Sequence, residues 1–304
     1  MESLMYVSIE RCDRARWPFH GGTTGALWRV HLIFGGRMMK KSAVLLMVVS
    51  LVCVSNAATV WNPAANGIYP PDVGDWGDAA NWTNGVPVTD GDSKSVFNVT
   101  DAAEAQVAGT FDAGQLVQGD GGPGGVIRVL DGGILNTRTD GWSSIGWNNV
   151  ANLIVESGGT FNFGNHAWIG FNPGAAGTVD VYGTVTVAQM FGLGWNGGDG
   201  FVNVYSGGLL ALSNIHGDGE TSIKQNSLLN IMGTGIVTLP GNFMGVIGNY
   251  ADNGLIAGNG ILGNVEATYD SDLDLTSVTA IPEPTTLALL GLGAVGLLRK
   301  KKTR

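Results

Sequence analysis

Cysteine is almost missing from this 304-residue chain: Cys12 and Cys53 are the whole supply. Neither lies beyond residue 57, so no disulfide framework holds the body of the molecule together. Basic residues are scarce in the same region. Of 16 lysines and arginines, seven lie at or before Lys41 and five at or after Arg299. Residues 58–280 keep only Lys94, Arg128, Arg138 and Lys224 against 21 acidic residues, a net charge of −17. A nucleic-acid binder needs a basic footprint that displaces counterions from phosphate, so that class is excluded. Hydrophobic residues reach 44%, too many for a disordered chain.

What the chain does have is glycine, 49 residues or about one in six, roughly twice ordinary usage. Glycine together with Asn, Thr and Val favours an all-β protein with many tight turns. Internal repetition sharpens this. Ile145-Gly146-Trp147-Asn148, Ile169-Gly170-Phe171-Asn172 and Leu193-Gly194-Trp195-Asn196 share one pattern, at two successive intervals of 24 residues. A second series consists of short alternating strands that run into glycine. Its members carry Val129, Val155, Val181, Val204 and Ile231. Period-two alternation marks a half-buried strand, and the glycines mark corners.

A coil of about 24 residues built from short strands and glycine corners predicts a parallel β-solenoid, or β-helix. Each coil buries its apolar face only by stacking on the next, at about 4.8 Å per coil. Val129, Val155, Val181, Val204 and Ile231 are expected to form an internal aliphatic ladder. Trp147, Phe171 and Trp195 are expected to stack, and Asn148, Asn172 and Asn196 to form an amide ladder. The competing architecture is a β-sandwich, which would need antiparallel hairpins but no fixed period.

The two ends read as addresses. Residues 38–57 have the order of a Sec signal peptide: Lys40 and Lys41, an apolar run from Ala43 to Val54, then small residues, with cleavage between Ala57 and Ala58. A lipoprotein site at Cys53 is the alternative, with bulky Val52 a poor fit before it. Residues 1–37 precede this complete signal and are expected to be an unstructured or spurious extension, with Met38 or Met39 as the true start. At the other end, Pro282-Glu283-Pro284 is followed by the 14 residues Thr285–Leu298 and then Arg299, Lys300, Lys301 and Lys302. The apolar stretch is short against the roughly 20 residues of a standard bilayer helix, and the basic cluster is a cytoplasmic membrane stop. The expected solenoid is thus flanked by an N-terminal signal helix and a short C-terminal transmembrane helix.

This C-terminal arrangement resembles the PEP-CTERM sorting signal of environmental bacteria. The resemblance covers about residues 280–304. It implies export, an inner-membrane stage, and handling by signal peptidase and by an exosortase, a membrane enzyme that cleaves near the motif. The family is associated with exopolysaccharide and biofilm, which makes exopolysaccharide a candidate partner. Trp61, Trp76, Asn81-Trp82, Gly85 and Pro87 resemble the opening segment of the autotransporter-type β-strand repeat passengers found in many such proteins, and Leu255–Gly263 resembles their final coil. The expected layout is an N-terminal β region and cap over 58–125, solenoid repeats over 126–266, an acidic linker over 267–280 and the sorting signal over 281–304.

Chemistry is harder to find. Lyases acting beside a uronate need a base and cationic neutralisation, and the body offers four basic residues with His166 and His216. Glycoside hydrolysis needs two carboxylates, for which Glu156 and Asp180 are the strand-borne candidates. Asp90-Gly91-Asp92, Asp199 and Asp218-Gly219-Glu220 carry calcium-type oxygens but match no EF-hand loop. No cofactor and no metal is implied. The sequence favours a non-catalytic exported cell-surface or matrix protein, with a carbohydrate-binding module or a β-helix polysaccharide-degrading enzyme as alternatives.

Overall fold

The structure is a computed structural model that describes residues 6–12, 27–33, 58–62, 73–88, 94–98, 103–217 and 220–282. The expected signal helix (38–57, including Ala57) and the sorting tag from Glu283 onward, with its transmembrane helix, lie outside the described residues. Among the described residues no helix is long and apolar enough to cross a membrane.

The chain divides into two units, 1–55 and 56–304. In the first, Tyr6–Cys12 and Leu27–Ile33 pair as antiparallel strands. This corrects the expectation of an unstructured extension there. Both segments alternate apolar with polar residues, a strand signal that the sequence reading passed over.

The second unit is an all-β parallel solenoid. One coil shows the plan: Val150–Val155, then Thr160–Phe163, then His166–Ile169, each pairing in parallel with its counterparts in neighbouring coils. These strands define a first, second and third face. The second and third faces merge where Thr184–Leu193 runs through both, with a register shift between Val187 and Met190.

The first face is the most regular. Val107, Val129, Val155, Val181, Val204 and Ile231 are register partners in turn, 22 to 27 residues apart. Two residues earlier on each strand, Ala105, Ile127, Leu153, Val179, Val202, Leu229 and Ile256 form a second inward ladder. All are buried. Burying a Val, Leu or Ile side chain is worth about 1.5–3 kcal/mol, and that gain at every coil is what holds the stack together. Phe161, Val185, Leu210 and Val237 line the second face in the same way, and Ile145, Ile169 and Leu193 the third.

The corner after the first face explains its paired glycines. Gly158 adopts φ +82°, open to glycine at little cost. Gly159 keeps an ordinary φ, but a Cβ there would sit 2.8 Å from the Val129 carbonyl oxygen of the coil below.

The ends are closed differently. At the N-terminal end Trp61, Trp76, Trp82 and Phe97 form one buried aromatic cluster, with Trp61 stacked on Phe97 at 5.2 Å and Trp76 edge-on to Trp82 at 4.7 Å. Register does not begin at residue 126. Val73–Asp75 and Glu104–Val107 already belong to the first face, so the coils extend back through the segment read as a cap. At the C-terminal end, helix Met244–Asp252 covers the stack with Ile247 and Tyr250. The segment read as an acidic linker is a β-hairpin, Val265–Asp270 with Leu275–Ala280. Its inner strand pairs antiparallel to Ile236–Pro240 and buries Thr276, Val278 and Ala280, which ends the parallel ladder. Asp270, Asp272 and Asp274, which suggested a solvated linker, sit only at its tip. Pairing runs up to the sorting tag: the Ile281 N–H donates to the Asn264 carbonyl at 3.0 Å, and Asn264 Nδ2 donates back to the Ile281 carbonyl at 3.1 Å.

Candidate functional site

The repeated aliphatic-Gly-aromatic-Asn motif forms the corner between the third face and the next first-face strand. Its aliphatic residues point inward and are buried. Gly170 has φ +64°, and a side chain there would land on the Asp199 carbonyl of the next coil. The aromatic and the asparagine are thereby turned outward.

The asparagines form a directional ladder. Asn196 Nδ2 donates to Asn172 Oδ1 at 2.8 Å, and Asn172 Nδ2 donates to Asn148 Oδ1 at 2.7 Å. Asn148 Nδ2 donates to the carboxylate and carbonyl of Asp120 at 3.0 and 2.9 Å. A row of amides donating in one direction needs an acceptor at its base, and an ionised carboxylate is acceptor-only. Asp120 was missed in the sequence because Gln118-Gly119-Asp120 is a degenerate copy of the motif, with Gly119 kept at φ +79° and Gln118 in register with Ile145.

The same construction recurs on the other faces. On the second, Thr186 donates to Asn162, Asn162 to Asn136 and Asn136 to Asp112, at 2.7, 2.8 and 3.2 Å. On the first, Asn230 donates to Asn203 at 3.4 Å and Asn203 to Asp180 at 2.9 Å. Each row starts from an aspartate.

The aromatics divide. Trp147 and Phe171 stack at 4.2 Å and 12°, with Trp142 on the far side of Trp147 at 4.3 Å and 16°. Trp195 does not join them. It meets Trp168 at 5.0 Å and 43°, because Trp168 stands edge-on to Phe171 at 5.6 Å and occupies the space between. The Lys224 ammonium lies 4.3 Å from the Trp195 ring centroid, a cation–π geometry. All five rings are half-buried on the outside of the solenoid. Trp142 and Trp168 went unnoticed in the sequence, although both lie on the strands that lead into the motif, Trp142 three residues before Ile145 and Trp168 one before Ile169.

The candidate catalytic groups have structural partners. Glu156 and Glu104 flank Arg128, the latter carboxylate 2.9 Å away. The Glu104 carboxylate, and then Glu156, raise the already high pKa of Arg128 against the opposing effect of burial. Asp180 accepts from Asn203 and from the Tyr205 hydroxyl at 3.5 Å. His166 Nδ1 accepts from the Met190 N–H at 3.3 Å. Glu156 and Asp180 both lie on the outer surface of the first face, each committed to its own neighbours. Among the described residues no three His, Cys, Asp or Glu side chains gather as a metal site. Residues 90–92 and 218–219, and the His216 side chain, lie outside what is described.

Of the expected sorting residues, Pro282 is exposed at the end of the described chain, and Ala58 is exposed at the start of the solenoid unit. Residues 280–302 match the PEP-CTERM protein-sorting motif. The match includes Pro282, Glu283, Pro284 and the basic residues Arg299, Lys300, Lys301 and Lys302. The motif marks an exosortase substrate, and hence an exported protein of the cell surface. No curated protein and no solved structure matches the chain.

Proposed function

We propose that this chain is a non-catalytic scaffold of the cell surface or extracellular matrix. In this reading it is exported through its signal peptide, cut after Ala57 by signal peptidase, and held by its C-terminal segment until an exosortase acts near Pro282-Glu283-Pro284. The solenoid then serves as a stiff spacer or matrix element in contact with exopolysaccharide. One observation carries this: the Pro282-Glu283-Pro284 of the sorting motif follows directly on Ile281, which is hydrogen-bonded into the terminal hairpin, so the whole solenoid is the cargo of the tag. The outward polar rows support it too, since their donors and acceptors brace one another from coil to coil. An enzyme would be expected to hold some of these groups in a common cleft.

Intact-mass spectrometry of the protein from the native envelope and medium tests the reading. A species that begins at Ala58 and lacks Thr285–Arg304 is expected. A mature species retaining Thr285–Arg304 would remove exosortase processing from the account.

A further inference from the structure

We propose that the third face binds a neutral, β-1,4-linked polysaccharide, with Trp168 as the stacking platform and the glycan lying along the solenoid axis. This deepens the exported-scaffold reading, on which it rests only for placing the face outside the cell.

Trp168 is set apart from the other outward rings by what lies beneath it. Its register partners are Ser144 in the coil before and Gly192 in the coil after. A Cβ on Gly192 would fall 2.5 and 2.6 Å from Cζ3 and Cε3 of Trp168, so the indole covers the position where the next outward side chain would stand. One ring face therefore rests on the backbone of the following coil. The residue is only half-buried, so part of the indole meets solvent, framed by His166 at 5.8 Å, Phe171 at 5.6 Å and Trp195 at 5.0 Å. The interior does not need this ring, because Ala167, Ile169, Phe191 and Leu193 already fill it. The neighbouring rings are differently engaged. Trp147 is sandwiched between Trp142 and Phe171, and Trp195 has Lys224 against it, so these act as walls rather than platforms.

A pyranose offers a patch of C–H groups to an aromatic face and equatorial hydroxyls around its rim. The face supplies both halves of that match. Trp168 is the flat apolar surface, and an aromatic with one end apolar and its surroundings wet is suited to such a ligand. Beside it run Asn172 and Asn196. An amide has two protons and two acceptor lone pairs. The ladder uses one proton of each, and one lone pair of Asn172, which leaves hydroxyl-binding capacity at successive coils. Coils repeat at about 4.8 Å, so amides recur along the solenoid axis at a spacing of the order of one sugar residue in an extended β-1,4-linked chain. Charge selects the class. A body with net −17 repels uronates and other anionic glycans, and the Lys224 ammonium beside the strip is already set against the Trp195 ring.

The full chain is titrated with cellohexaose, mannohexaose and hexagalacturonate, read by tryptophan fluorescence and calorimetry. One or both neutral hexasaccharides are expected to bind and the anionic one to fail. Trp168→Ala is expected to weaken binding at least tenfold without shifting the melting temperature by more than a few degrees. Gly192→Ala, which keeps every ring but lifts the Trp168 indole, is expected to weaken it comparably. Oxidative footprinting of the unmodified protein, mapped by mass spectrometry, should show protection of Trp168 by sugar, which covers the case in which a variant does not fold. The proposal is overturned if neither neutral hexasaccharide binds, if hexagalacturonate binds more tightly, or if Trp168→Ala binds like the parent. It is equally overturned if the face instead pairs two copies, seen as a dimer that Trp168→Ala dissociates with no sugar bound. A correctly sorted chain that ignores sugar fails here alone, while a chain that keeps its tail yet binds sugar fails the sorting reading alone.

Discussion

The first and third faces of the solenoid are made by the same chain with the same coil, and they differ in what they put outside. On the first, two aliphatic ladders fill the inside, and the outside is a self-paired polar surface: Arg128 between two glutamates, and Asn203 and Asn230 above Asp180. On the third, the inside is a mixture that includes buried Gln118 and Ser143 beside Ile145 and Ile169, and the outside is aromatic. Gln118 is tolerated because its amide donates to the Gly124, Gly125 and Asn152 carbonyls. The difference teaches that inward positions obey the strand period on every face, whereas the outward surface is set by neighbours from other coils.

The comparison breaks first, if it breaks, in the core. Leu153→Ala on the first face and Ile169→Ala on the third are each expected to lose about 2–5 kcal/mol in chemical denaturation. A clearly smaller cost for Ile169→Ala would mean that the third face is not part of one continuous core. Next is the corner. Gly170→Ala combines a left-handed backbone with a clash against the Asp199 carbonyl, and a loss of about 2–3 kcal/mol is expected. A neutral outcome by thermal melting would show that the corner can relax, and that the repeated glycine is not required by close coil approach. Smaller still is the amide row: Asn172→Ala removes two exposed hydrogen bonds and should cost about 1 kcal/mol, with Asn172→Asp worse because it puts a carboxylate against the Asn148 oxygen.

The smallest effect belongs to the first face's exterior. Tyr182 and Tyr205 stack at 4.1 Å, and partial burial, then the Tyr182 hydroxyl and the Asp180 carboxylate, push the Tyr205 hydroxyl up to about 12. Its folded pKa lies above the unfolded value of about 10. The unfolded chain therefore releases this proton first, and the associated stability, complete below about pH 10, drains away as pH rises towards 12. Ultraviolet titration should show Tyr205 ionising late, alongside Tyr250, raised by burial, and Tyr269, raised by its hydrogen bond to Asp274, and Asp180→Asn should bring the Tyr205 component only part of the way back, since burial is the leading cause. A Tyr205 that titrates at 10 would detach it from that pair.

Much of the solenoid was legible. The Val129-to-Ile231 ladder follows from alternation and spacing, and the glycine corners from backbone geometry that few other residues reach. The aromatic strip was only half legible. The spacing of 24 placed Trp147, Phe171 and Trp195 at equivalent corners, but it could not show that Trp168 from the strand would come between the last two. The terminal hairpin was hidden by its acidic tip, which reads as solvated chain although Thr276, Val278 and Ala280 alternate inward behind it.

By itself the sequence determined the strand period, the inward residues, the corners and the sorting motif. These depend on a residue and its near neighbours along the chain: side chains alternate, glycine reaches positive φ, and a tag is a contiguous string. Tertiary structure alone decided which rings stack, which aspartate anchors each amide row, and that Trp168 lies over Gly192. Those pairings depend on coil-to-coil offset, and the corners that set it differ in length. Trp147 is three residues from its first-face strand at Val150, Phe171 five from Ala176 and Trp195 four from Asp199. A lateral neighbour more than 20 residues away in the chain is settled only when those unequal corners have been closed.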